Sequence, residues 1–200
     1  LSSVQMGLWM PLSRAHGKTP REPWQYGDMA LKEVKKWINF RHRLVPYLYH
    51  TACQSHQSGI PMIRPLVMEY PKDPIAKIQN LSYMLGDALL ISPGFDRDEY
   101  ELYLPEGRWQ DIESKEVYEG MTFVHIENKA FADGGTSLRV FQKEGTSIPL
   151  LAQKEVMHVP ATAWKREDLD FMTFTTTDIT DKIYVPGECG KVEFIQVEAK

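Results

Sequence analysis

The sequence predicts an α/β segment followed by an all-β segment, and two observations carry that prediction. Apolar residues recur with the helical period through residues 29–57, and a short apolar run follows at once. From Ala88 onward, short alternating runs separated by Gly- and Pro-containing turns take over. A helix followed by a buried strand is one half of a βαβ-type repeat. Closely spaced short strands with such turns build an antiparallel sandwich.

In the first segment Val34, Trp37, Ile38, Leu44, Val45, Leu48 and Ala52 mark the apolar face of the helix. Asp28 stands where a cap is needed at its start, and Gly59 where a helix stops. Pro46 removes one backbone donor and crowds the preceding turn, which predicts a kink or two abutting helices. Lys32, Lys35, Lys36, Arg41 and Arg43 read as a solvated face. Residues 60–68, IPMIRPLVM, form the strand candidate. Arg64 in its middle requires a carboxylate partner or a cavity, because an unpaired buried charge is costly.

In the second segment residues 88–92 end at Pro93-Gly94, residues 99–104 alternate, and Pro105-Glu106-Gly107 is a turn. Residues 109–112, 117–118, 122–126, 138–142 and 147–151 complete one set of strands. Residues 171–175, 182–185 and 192–197 read as a second, smaller β-unit.

Composition narrows the function. The chain has 200 residues, with 23 Lys and Arg against 27 Asp and Glu, for a net charge of -4. A weakly acidic chain without a basic run does not bind nucleic acid through phosphates. No apolar run approaches the ~20 residues needed to span a bilayer as a helix. The two cysteines, Cys53 and Cys189, form no framework and no CxxC pair, which points to a reducing, cytoplasmic setting. Cys53 reads as a small buried hydrophobe. Residues 1–12 have neither the basic start nor the small-residue cleavage site of a signal peptide, and read as the interior of a longer fold.

Few constellations carry chemistry. His42, His50 and His56 do not share a metal-binding helical face and read as surface or packing residues; no metal or cofactor is implied. Gly134-Gly135 reads as a turn rather than a phosphate loop. Tyr47, Tyr49, Trp109 and Tyr118 read as core aromatics. The densest feature is MPLSRAHGKTPREPW at 10–24, which gathers Arg14, His16, Arg21, Glu22 and Trp24 in a loop between prolines and glycines. Forked donors, an imidazole and a flat apolar ring suit a hydroxylated ligand; a surface loop with an internal salt bridge is the plainer alternative.

The run GLWMPLSRAHG resembles a signature of glycoside hydrolase family 31, the α-glucosidases and α-xylosidases. REPW, RLVPYLY, GIPMIRPL, YMLGDALLISP and YLPEGRW follow in the family's order, so the resemblance covers roughly residues 1–153. It implies the C-terminal end of a (β/α)8 TIM barrel followed by antiparallel β-sandwich domains. Residues 1–78 would be the last barrel elements, 79–153 a proximal sandwich and 154–200 the start of a distal β-domain. Residues 8–12 would hold a late barrel strand and residues 60–66 the final one, with His16 just past a C-terminal strand end, where barrel active sites lie.

The resemblance further implies that His16 hydrogen-bonds a hydroxyl of the sugar in the cleavage subsite. Arg14 matches the same motif, as a substrate-binding or a bracing residue. Retaining glycosidases use two carboxyl groups about 5–5.5 Å apart. In the family both Asp residues precede the stretch seen here, so no catalytic residue is assigned. Glu22, Asp28 and Glu69 read as salt-bridge partners or caps. The implied partners are an oligosaccharide or glycoside and the remainder of the barrel, with self-association into a homo-oligomer allowed; nucleic acid and membrane are not. A non-catalytic carbohydrate-binding or assembly module built on the β-rich half is the alternative.

Overall fold

The structure, a computed structural model, describes residues 6–94, 99–127, 138–153, 160, 163–187 and 191–199. The long helical stretch forms as two abutting helices, α1 (Asp28–Arg43) and α2 (Val45–Ser58), joined at Leu44. Pro46 lies in the first turn of α2, where its missing N–H costs no intrahelical bond. Gly27, with φ 89°, holds the cap position of α1 without a side-chain hydrogen bond, so Asp28 is its first residue and not its cap. Gly59 ends α2 in the left-handed conformation, and its N–H donates to the Ser55 carbonyl oxygen.

The strand expected at residues 60–66 is reduced to β1 (Ile63–Pro65), followed by the single-turn helix α3 (Leu66–Glu69). β1 pairs antiparallel with β2 (Tyr83–Leu85), whereas a barrel strand pairs parallel with its neighbours. It is therefore the edge of the sheet that follows. That sheet has six strands in the order β1-β2-β3-β8-β5-β6. The strands beyond β2 are β3 (Leu89–Pro93), β5 (Arg108–Asp111), β6 (Val117–Glu119) and β8 (Leu138–Lys143), all antiparallel. Pro65 is tolerated because β1 has one free edge.

Alternation along the central strands sorts side chains to two faces. Leu89, Ile91, Leu138 and Val140 face Trp37, Leu44 and Tyr47 of the helix pair. Met84, Leu90, Phe141 and Trp109 face the second layer, the antiparallel pair β4 (Glu99–Leu104) and β7 (Thr122–Glu127), through Tyr100, Leu102, Leu104, Val124 and Ile126. The expected antiparallel sandwich is thus present, with helices covering its other face.

The last strands pair as β9 (Thr146–Leu151) with β10 (Leu169–Phe174) and β11 (Ile179–Tyr184) with β12 (Val192–Val197). Their core joins Leu151, Trp164, Leu169, Ile183 and Ile195, with Tyr49 edge-on against Trp164 at 6.3 Å. Tyr47 and Trp109 are core residues, as expected; Trp109 Nε1 donates to the Pro105 carbonyl oxygen at 2.8 Å. The turn expected at Gly134-Gly135 lies outside the described residues.

Cys53 is fully buried, as expected of a small hydrophobe, and is in addition disulfide-bonded. The other cysteine of the chain, Cys189, lies outside the described residues. Among the described residues no helix is long and apolar enough to cross a membrane.

Candidate functional site

The loop at 13–22 runs without helix or strand, and Arg14 and His16 are both exposed on it. The expected strand at 8–12 is not formed. In its place a turn donates from Trp9 N–H to the Met6 carbonyl oxygen and from Met10 N–H to that of Gly7. The physical reason lies on α1. Arg41 Nη1 donates to the carbonyl oxygens of Leu8 (2.5 Å) and Met10 (2.7 Å), and Nη2 to that of Pro11 (3.0 Å). A guanidinium fork bonding three carbonyls takes the acceptors that a strand ladder would use. Arg41 is thus half-buried and structural, not part of a solvated face.

Below the turn, Trp9 packs against Trp37 at 5.9 Å and Phe40 at 5.5 Å. The turn is buried and braced while the loop that follows projects outward. Within that loop Arg21 lies back over Gly17; a Cβ on Gly17 would stand 2.8 Å from Arg21 Nε. Beyond it a single 3-10 turn, Pro23–Tyr26, carries Trp24 and Tyr26, 61% and 58% exposed, into α1. The loop therefore presents guanidinium donors and an imidazole beside two exposed aromatic rings. That arrangement can bind hydroxyls and stack on an apolar sugar face, but its single carboxylate, Glu22, cannot perform two-carboxylate glycosidic chemistry.

Of the three acidic residues read as salt-bridge partners or caps, Glu69 is shown in that role, while Asp28 does not cap α1. Arg64, 7% exposed, is paired with Glu69 at 2.9 Å and also donates to the Pro61 carbonyl oxygen at 2.8 Å. Glu22 and Asp28 are exposed. His42 and His56 lie on the helices, half-buried and exposed, and no group of three His, Cys, Asp or Glu able to hold a metal occurs among the described residues. His50 departs from the surface reading. It is buried, stacked near Tyr47 at 6.4 Å and tilted against Tyr184 at 5.3 Å. It lines a cavity of about 430 Å3 with Gln54, Asp87, Ser147 and Asp181. A second cavity, of about 370 Å3, lies between α1 and the β5–β6 turn. Neither is lined by Arg14 or His16.

The helical segment and the sandwich correspond, in that order, to two consecutive domains of one group of sugar-cleaving enzymes. Residues 3–51 match the glycosyl hydrolases family 31 TIM-barrel domain, and residues 59–148 match the glycosyl hydrolase family 31 C-terminal domain. The chain belongs to glycosyl hydrolase family 31.

It is 34% identical over 152 residues to human neutral alpha-glucosidase AB, covering 72% of this chain and 16% of that protein. A cycloalternan-forming enzyme from Listeria monocytogenes, solved with a pentasaccharide substrate, superposes with a TM-score of 0.81 at 28% identity, over 100% of this chain and 20% of that one. An alpha-xylosidase from Xanthomonas citri superposes with a TM-score of 0.76 at 25% identity, over 91% and 20%. The chain spans between 12% and 26% of the length of eight curated relatives that it matches.

Proposed function

We propose that this chain is the closing part of a retaining α-glycosidase that hydrolyses terminal non-reducing α-linked glucose or xylose from an oligosaccharide or glycoside. His16, with Arg14 beside it, hydrogen-bonds the sugar in the cleavage subsite. The nucleophile and the acid/base carboxylates come from polypeptide outside these residues, so the chain alone does not turn over substrate. The observation that supports this reading is the order of parts: a stretch matching the family's barrel domain carries the exposed Arg14–His16 loop, and a stretch matching its C-terminal domain follows.

The proposed division has three parts: a barrel end, a proximal sandwich and the start of a distal β-domain. The first boundary is drawn at Gly59 rather than residue 78, because β1 belongs to the sandwich sheet. The second stays after residue 153, next to residues outside those described.

The test is kinetic. In an enzyme that carries this chain, His16→Ala lowers kcat/KM for aryl α-glucosides or α-xylosides about tenfold, since a hydrogen bond made to the transition state is lost. The ratio of the two substrates reports the sugar preference. An unchanged kcat/KM removes His16 from the subsite. Turnover by the isolated chain above a His16→Ala control shows that the carboxylates lie within it.

A further inference from the structure

The loop that carries Arg14 and His16 is a free arc. Residues 14–22 are exposed, and among the described residues no hydrogen bond or ion pair joins residues 12–21 to a helix or strand. Such a loop takes its direction from its two ends. At the far end the Pro23–Tyr26 turn feeds straight into α1, whose first residue is Asp28. At the near end the root is held by Arg41, in the last turn of the same helix, through the carbonyl oxygens of Leu8, Met10 and Pro11. Asp28 and Arg41 lie about 20 Å apart along the helix axis, at 1.5 Å per residue. One helix therefore sets both ends of the arc, the far end by covalent continuity and the near end by one guanidinium.

Packing alone does not supply that direction. Leu8 and Trp9 are buried, Trp9 against Trp37 and Phe40, which keeps the turn on α1. Apolar contacts of this kind are non-directional. A planar fork is directional, and it orients the peptide planes of Leu8, Met10 and Pro11. The ring of Pro11 already locks φ near about −65°, so the setting of its carbonyl fixes the heading of the chain into Leu12. His16 follows Pro11 within the exposed arc, a reach of up to ~16 Å for an extended chain. A tilt of about 10° at the root would move a group at that reach by about 3 Å. Displacements of about 1 Å suffice to cost a reacting site about 100-fold.

We propose that Arg41 is a positioning residue of the cleavage subsite: it aims the Arg14–His16 loop at the sugar. Both hydrogens of its Nη1 and one of Nη2 are committed to the backbone, so it acts through the loop rather than on the substrate. The role rests on the reading of His16 as a sugar ligand.

The test is a double-substitution cycle in an enzyme that carries this chain, with aryl α-glucosides and α-xylosides as substrates. Arg41→Ala lowers kcat/KM about tenfold, as His16→Ala does. Arg41→Lys keeps a cation over the turn, lowers kcat/KM about threefold, and remains readable if Arg41→Ala does not fold. In the His16→Ala background either Arg41 loss shrinks to about twofold or less, because the main group it aims is gone. A merely structural loss of active enzyme would multiply with His16→Ala instead. Arg41 losses that recur in full in that background overturn the proposal and leave the subsite reading standing. So do Arg41 variants as active as the wild type beside an impaired His16→Ala. An unimpaired His16→Ala overturns the subsite reading, and the positioning role with it.

Discussion

Arg41 Nη1 donates to the Leu8 carbonyl oxygen at 2.5 Å across 33 positions of sequence. This bond, with those to Met10 and Pro11, fixes where the exposed loop leaves the body of the chain. Arg41→Ala should remove three charge-assisted bonds and leave the part-buried carbonyls of Leu8 and Met10 without their donor, lowering stability by about 2–4 kcal/mol in denaturant unfolding. Arg41→Lys should recover less than half of that loss, because an ammonium cannot span the three acceptors as a planar fork does. Full recovery by Lys would show that charge alone is needed.

The Arg64–Glu69 pair invites a second substitution. Arg64 is held against Glu69 by a 2.9 Å contact and is nearly inaccessible, whereas the Glu69 side chain is 26% exposed. Glu69→Gln strands a buried guanidinium and should cost about 2–3 kcal/mol. The double variant Arg64→Met with Glu69→Gln should lie closer to the wild type than Glu69→Gln alone, because it removes the charge as well as its partner. Thermal midpoints of the three chains decide the matter.

Stability should depend on pH through His50. Burial, the largest influence, holds its imidazole below the usual range; Asp87 and Asp181 pull upward and Lys182 downward. A base that resists protonation when folded leaves the unfolded chain with more bound protons in acid. Stability contributed by the neutral ring is therefore lost as pH falls through about 6.5, and the loss levels off below the folded value. Urea midpoints of wild type and His50→Phe should diverge in slope below that pH. Parallel curves would mean that the ring is freely solvated.

Gly120, between β6 and β7, donates its N–H to the Gly107 carbonyl oxygen at 2.7 Å, and a Cβ there would overlap the Pro105 carbonyl oxygen. Backbone cannot swing aside as a side chain can. Gly120→Ala should cost about 3 kcal/mol or more. Gly145→Ala provides the contrast: its Cβ would meet nothing within 4 Å, and its φ of 77° carries only the left-handed penalty of about 1–2 kcal/mol. Similar costs at the two positions would refute the overlap.

Local periodicity made much of this fold readable. The 3.6-residue spacing of Val34, Trp37, Leu44 and Leu48 marked the helices, and Pro46 marked their junction to within two residues. Alternation marked β4 and β7 nearly to their ends. What failed was decided at long range. The run at 8–12 is as apolar as a strand, but its carbonyls are claimed by Arg41. β1 and β2 span three residues each, too few for any period to declare which sheet they join. Of the candidate site, Arg14 and His16 were found through resemblance, and the structure shows both on one exposed loop. The cavity was invisible in sequence because His50, Asp87, Ser147 and Asp181 meet only after four separate elements have packed. The disulfide at Cys53 left no local trace.

The placement of β1 has a practical consequence for dissecting the molecule. A β-rich fragment starting at Gly59 retains every strand of the six-stranded sheet, whereas one starting at residue 79 loses Ile63–Pro65 and bares the backbone of Tyr83–Leu85. An uncovered strand border of that kind recruits other chains. Twenty residues at the amino end thus decide whether the sheet keeps its outer strand, while either fragment bares the face of Leu89, Ile91 and Val140 that the helix pair covers.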